Sequence, residues 1–383
     1  MFKKKAEKIL KIYLIRLIYV LANIRFGFRR WGKVSGKSLL IVKLDAIGDY
    51  VLFRNFLEEI KKSAFYKDYS ITFLGNNSVR DLAETLDKDF VDKFIWIDKK
   101  HILKRPLVFF NLINLIYKKF SVVIQPTFSR ELIGDLLVRL SGASIRIGIN
   151  GDTNNILSQE KKVSDKWYTQ LIDIKSEINF EFYKNRDFFS QILKRGLLIK
   201  QPVIKSINIS STIRLPDHFV VLYPGAQQDF RKWPADNFRL IAGYLIEKYN
   251  IDVVICGSSS DNDSGRIINS GSSKRIFDLT GKTNLIQLIY IISRAKLIIS
   301  NDTSGAHIGA ALDIPTIILS QFNYYSRFVP YPPEISDNLI CLLPHIADNV
   351  SESELINKFK HGSSVDISLI PVDEVKQAIN KFL

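Results

Sequence analysis

The chain has 383 residues, 46% hydrophobic, 11% aromatic and 24% charged, which excludes a disordered chain and a single small module and predicts a globular protein of two domains. Two cysteines, Cys256 and Cys341, exclude a disulfide framework and a four-thiolate metal site, and fit a reducing compartment. Of the net charge of +15, residues 1–37 carry +10, eleven Lys/Arg less the single acid Glu7; a nucleic-acid enzyme would spread its basic residues over the fold, so no nucleic-acid partner is expected.

The apolar run Ile9 to Leu21 is punctured by Lys11 and Arg16. It falls short of the roughly 20 apolar residues that a spanning helix needs. It also lacks a small-x-small cleavage site, which argues against a signal peptide. With Phe26, Phe28, Arg29, Arg30 and Trp31 it reads as a basic amphipathic helix on an anionic membrane surface, or as a helix packed on the protein itself.

From Ser38 onward, short apolar runs alternate with helical-period segments, the pattern of a parallel sheet covered on both faces. Strands are expected at Leu39 to Leu44, Ile71 to Leu74, Phe94 to Ile97, Val122 to Gln125 and Ile145 to Ile149. Helices are expected near 49–63, 78–87, 105–119 and 129–141. Residues 151–180 are polar and weakly periodic and read as a loop or insertion, followed by a helix at about 181–195. The pattern restarts with strands at Phe219 to Tyr223, Val253 to Cys256, Phe277 to Leu279, Leu297 to Ser300 and Thr316 to Leu319. The expected organisation is a basic segment, 1–37, and two doubly wound α/β domains, 38–200 and 201–383. A ligand site between facing sheets would lie outside the carboxyl ends of their strands.

Three segments at such ends hold the candidate chemistry. In Lys43-Leu44-Asp45-Ala46-Ile47-Gly48-Asp49 a buried strand turns through glycine into a helix and presents two carboxylates. Asp45 also reads as a turn former and Asp49 as a residue favoured at a helix start. Neither a GxGxxG nor a GxxxxGK[ST] loop occurs anywhere in the chain, which removes support for hydride transfer and P-loop hydrolysis. In Pro224-Gly225-Ala226-Gln227-Gln228-Asp229-Phe230-Arg231-Lys232-Trp233-Pro234, adjacent cations beside loop amides form a diphosphate clamp or a solvated basic loop. In Asn301-Asp302-Thr303-Ser304-Gly305-Ala306-His307, hydroxyls and amides at a helix start can grip an anion, and His307 is a catalytic or a structural imidazole.

In this order the segments resemble glycosyltransferase family 9, the ADP-heptose:lipopolysaccharide heptosyltransferases, over about Ser38 to Leu383. The resemblance implies a GT-B fold of two Rossmann-like domains facing a cleft, the first for the acceptor and the second for the nucleotide sugar. It implies inverting transfer of a sugar, typically heptose, from ADP-heptose to a lipopolysaccharide-core or related lipid-linked glycan acceptor. Asp49 would be the base and Asp45 its fallback. Pro224, Gly225, Ala226, Arg231, Lys232, Asp302, Thr303, Ser304, Gly305 and His307 would hold the donor, with Asp261 as a ribose contact. Arg231 stands where the family usually has lysine, and Lys232 is shifted by one, so either cation can serve the diphosphate. Asp261-Asn262-Asp263 matches D-x-D but follows the wrong strand for a metal site, and neither metal nor cofactor is expected. The implied location is cytoplasmic, peripheral on the inner face of the bacterial cytoplasmic membrane. The rival readings are a non-catalytic binder of nucleotide sugars or anionic glycans, a relative using another sugar, and a nucleic-acid binder acting through the basic tail.

Overall fold

The computed structural model describes residues 36–205, 213–271, 273–345 and 350–383. The amphipathic segment expected at 1–37 lies, up to residue 35, outside the described residues. The chain divides into two compact units. The first comprises residues up to Tyr50, Phe56–Ser176 and Lys184–Leu197; the second comprises Val51–Asn55, Glu177–Tyr183 and Leu198–Leu383.

The first unit contains a six-stranded sheet formed by β1 (Ser38–Lys43), β2 (Ser70–Asn76), β3 (Lys93–Ile97), β4 (Val122–Gln125), β5 (Ile145–Ile149) and β6 (Gln170–Ile172). Their order is β3-β2-β1-β4-β5-β6, with every pairing parallel. Leu39, Leu40, Ile41 and Val42 are all fully buried. A strand with both faces covered cannot alternate apolar and polar residues, which explains the continuous apolar run of β1. Burying each such side chain contributes about 1.5–3 kcal/mol.

The second sheet contains β7 (Phe219–Tyr223), β8 (Asp252–Ile255), β9 (Ile276–Asp278), β10 (Leu297–Asn301), β11 (Thr316–Leu319) and β12 (Leu339–Leu342). It is also all parallel, in the order β12-β11-β10-β7-β8-β9. Counted from its own first strand, this is the doubly wound order 3-2-1-4-5-6 of the first sheet. Each sheet therefore has a switch point where the winding reverses, between β1 and β4 and between β7 and β10. Loops at the carboxyl ends of those strands diverge and leave room for a ligand.

Three expectations need correction. The 151–180 stretch is not only a loop: it contains a helix, Ser158–Ser164, and β6, which completes the first sheet. The second sheet gains β12, whose four residues are all only partly buried. The helix expected at 49–63 is two helices, α1 (Ile47–Val51) and α2 (Asn55–Lys61). The break coincides with contacts to a residue far along the chain. Arg54 Nη1 and Asn55 Nδ2 donate to the Val203 carbonyl at 2.7 and 2.9 Å, and Asn55 Oδ1 accepts from the Val203 amide at 2.9 Å.

Candidate functional site

Two side-chain clusters form, one at each switch point. In the first, Lys43 at the end of β1 is 2% exposed, and its Nζ donates to the Pro126 carbonyl beyond β4 at 2.9 Å. The same Nζ lies 2.9 Å from Asp45 Oδ2, which also accepts from Thr127 Oγ1 at 2.8 Å. Burial works against charge on Asp45, but Lys43 and Lys99 with the two hydrogen bonds outweigh it and hold the carboxyl below its ordinary range. Asp45 is thus a fixed anion with a weakened appetite for protons.

Asp49 sits in the first turn of α1, half-buried. Its neighbour Tyr50 is buried and donates its hydroxyl to Asp87 Oδ2 at 2.6 Å, which fixes the roll of the short helix. Lys99 Nζ pairs with Glu131 Oε1 at 2.6 Å. Although burial opposes its charge, Glu131, Asp45 and Asp49 together make Lys99 hold its proton more tightly than an ordinary lysine. Asp45, Lys99, Thr127 and Glu131 line one small pocket with Leu44 and Gln125. The structure brings both predicted carboxylates into the electrostatic reach of one lysine that sequence reasoning did not single out.

The second cluster begins where β7 ends. Asn301, fully buried at the end of β10, holds the loop after β7 at two points: its Nδ2 donates to the Pro224 carbonyl at 2.6 Å, and its Oδ1 accepts from the Trp233 amide at 3.1 Å. Trp233, 1% exposed, donates its indole N–H to the Ile370 carbonyl at 3.0 Å. Between those anchors Arg231 reaches back to Asp302, donating to its carbonyl and lying 3.2 Å from its Oδ2. Burial pushes the Asp302 carboxyl up, with Arg231 and a hydrogen bond from Ser320 pulling the other way.

Lys232 Nζ lies 3.1 Å from the exposed Asp229 and 3.5 Å from buried Asp261. Asp261 Oδ2 accepts from the Ser258 amide at 2.9 Å and the Ser258 hydroxyl at 2.7 Å. Gly225 is required here because a Cβ on it would overlap the Asp261 carboxylate. Ala226 is half-buried beside it. Asp263, the other carboxylate of the D-x-D run, is exposed and pairs with Arg266, so the two acids have separate partners.

Thr303 stands in an extended conformation just before α3 (Ser304–Ala311), and its buried Oγ1 has no hydrogen-bond partner among the described residues. Gly305 allows close approach, since a Cβ would sit 2.7 Å from Tyr223 Cγ. The Tyr223 hydroxyl is pushed up to about 12 by burial, against a hydrogen bond with Ser304. His307 is 4% exposed; its Nδ1 lies 2.7 Å from the Tyr331 hydroxyl, and burial, then Arg231, lowers the imidazole to about 4. It is neutral at physiological pH. The arrangement offers an anion the unpaired amides of a helix start, a hydroxyl and an oriented guanidinium.

Every predicted site residue falls in one of these two clusters. The residues that hold them, Lys43, Thr127, Lys99, Glu131, Asn301 and Tyr331, were missed as functional candidates. For Lys43 a signal existed: residues 43 and 45 are two apart on an extended chain and so share a side.

Comparison with known proteins gives these arrangements a family. A model described as glycosyltransferase family 9 (heptosyltransferase) matches residues 120–346, more than half of the chain. Lipopolysaccharide heptosyltransferase 3 of Escherichia coli is 29% identical over 169 residues, 44% of this chain and 47% of that protein. Lipopolysaccharide heptosyltransferase 2 of Salmonella typhimurium is 34% identical over 101 residues, 25% and 29% of the two chains. The chain thus spans about half or less of the length of these curated relatives. Among solved structures, a family 9 glycosyl transferase from Veillonella parvula superposes with a TM-score of 0.69 at 18% identity, covering 90% of this chain and 97% of that one. E. coli heptosyltransferase WaaC with ADP gives 0.66 at 15%, covering 90% and 100%. These likenesses show the fold, two doubly wound units of the GT-B type.

Proposed function

The chain belongs to glycosyltransferase family 9, and from that membership we propose that it moves heptose from ADP-heptose to a lipopolysaccharide-core acceptor with inversion. The reading rests on one observation above others, the commitment of Asp45 to Lys43 and Thr127. Asp45 is committed to Lys43 and Thr127 and held anionic, which makes it a poor base. Asp49, four residues on, takes the proton from the acceptor hydroxyl as that oxygen attacks the anomeric carbon. The bond from the anomeric carbon to the diphosphate breaks, and ADP leaves with the electron pair.

The second cluster serves the donor. Arg231, oriented by Asp302, and the amides at the start of α3 neutralise the departing diphosphate, with Lys232 beside Asp261 as a further cation. Pro224, Gly225 and Ala226 let the chain pass close to the nucleotide, Asp261 meets the ribose, and Thr303, Ser304, Gly305 and His307 line the sugar diphosphate. No metal is assigned a step. Residues 1–37 hold the enzyme at the cytoplasmic face of an anionic membrane, where a lipid-linked acceptor is presented.

Calorimetric titration with ADP, UDP, GDP and ADP-heptose, with and without EDTA, tests the donor. Tight EDTA-insensitive binding of ADP-heptose is expected. Preference for UDP or GDP would move the sugar, and no nucleotide binding would overturn the proposal.

A further inference from the structure

Tyr331 lies outside every motif that marks the site, yet its hydroxyl is 2.7 Å from Nδ1 of His307 in the first turn of α3. Two arrangements of hydrogens fit that distance. In one, the phenol donates to a bare Nδ1 and the proton of the neutral imidazole resides on Nε2. In the other, Nδ1–H donates to the phenol oxygen, and the phenol hydrogen must find a second acceptor. Among the described residues the hydroxyl of Tyr331, 8% exposed, has His307 alone as its hydrogen-bond partner. The second arrangement therefore leaves the phenol hydrogen without an acceptor, whereas the first satisfies it at Nδ1 and places the remaining hydrogen on Nε2, which is not among the fully buried unpartnered atoms and so can meet water or a ligand.

We propose that Tyr331 is a positioning residue that locks His307 in the tautomer protonated at Nε2, so that a neutral imidazole presents an N–H donor to an oxygen of the nucleotide sugar. Nε2 has no hydrogen-bond partner among the described residues, and the ring belongs to the same cluster as Arg231 and the start of α3. The lock is itself held. The Tyr331 ring packs on fully buried Phe180 with centroids 4.8 Å apart, and His307 meets Phe328 edge-on. Glu181 and Arg327, both nearly inaccessible, pair at 2.8 Å across the same stretch, and Tyr183 donates to Glu334 at 3.2 Å. A donor whose ring cannot turn or change tautomer loses little freedom when ligand arrives. The part played by the sugar nucleotide rests on the donor-site reading above; the tautomer does not.

The test uses full-length protein with 15N-labelled histidine. Long-range proton–nitrogen correlation spectra near pH 7.5 distinguish the two tautomers, and His307→Gln identifies the signal among the five histidines. The expected result is a protonated Nε2 and a bare Nδ1 in the wild type. In Tyr331→Phe, which keeps the ring packing and removes the hydroxyl, the signal should shift to a mixture of tautomers. ADP-heptose affinity should weaken about 3- to 10-fold in that variant. A His307→Gln background, which retains a donor without a tautomer, should show no further loss on adding Tyr331→Phe. A wild-type imidazole protonated at Nδ1, or a Tyr331→Phe spectrum identical to wild type, would overturn the lock. A locked tautomer in a protein that binds no nucleotide sugar would instead overturn the donor-site reading.

Discussion

Replacing Asn301 with alanine removes two hydrogen bonds at once, both buried and both to backbone separated from it by 68 and 77 positions in the chain. The Trp233 amide and the Pro224 carbonyl are then left without partners inside the second unit. Each stranded buried group costs about 1–3 kcal/mol, and a water reaching the loop would offset part of that. The expected loss is therefore about 2–4 kcal/mol, or roughly 4–16 °C in the melting temperature of a unit this size. Because the loop between the two anchors carries Arg231, ADP-heptose affinity should fall more than about tenfold as well. Asn301→Asp keeps an acceptor for Trp233 but faces the Pro224 carbonyl with a carboxylate, and should be no better than alanine. Differential scanning calorimetry and donor titration on the same preparations read both effects. A stability change below about 0.5 kcal/mol, the range of ordinary surface substitutions, would refute the claim that Asn301 holds the loop.

Three further outcomes follow from the same geometry. His307 is lowered from 6.5 to about 4 in the folded protein. Between those values the unfolded imidazole is protonated while the folded one is not, so unfolding takes up a proton and stability falls as pH drops through that window. The loss from this group is about 3 kcal/mol at pH 4, and His307→Gln should flatten that part of the unfolding curve; parallel curves would contradict it. Asp45 is lowered below 3.8, so its support is present above that value and disappears as pH falls through its folded-state titration. Lys43→Met should move acid unfolding to higher pH, seen by circular dichroism, and an unmoved midpoint would discount the pair. Gly225→Ala should displace Asp261 from its Ser258 and Lys232 partners, lowering the melting temperature and weakening donor binding, whereas unchanged affinity in calorimetry would separate Asp261 from the nucleotide.

The order of buried runs and turns made the doubly wound halves legible, because a fully covered strand such as Leu39 to Val42 must be continuously apolar. The shorter strands at the sheet edges were not. Gln170–Ile172 has three residues with only Ile172 buried, and Leu339–Leu342 is partly exposed throughout, so neither carries the pattern of an interior strand. The break at residues 52–54 was invisible because the contacts that coincide with it reach Val203, about 150 positions away. Of the candidate site, the segments that carry charge at strand ends were readable. Their supports were not, since Lys43 finds Pro126 and Asn301 finds Pro224 only once β1 lies beside β4 and β10 beside β7. Neighbourhood across a switch point belongs to topology, and a single sequence states it only after the strand order is known.

The role of Asp49 is read most directly from single-turnover transfer from ADP-heptose by Asp49→Asn, measured beside its donor affinity. Donor binding should stay close to wild type while the rate falls at least about 100-fold, the usual contribution of a general base. Near-normal turnover by this variant would contradict that role and remove Asp49 as the base.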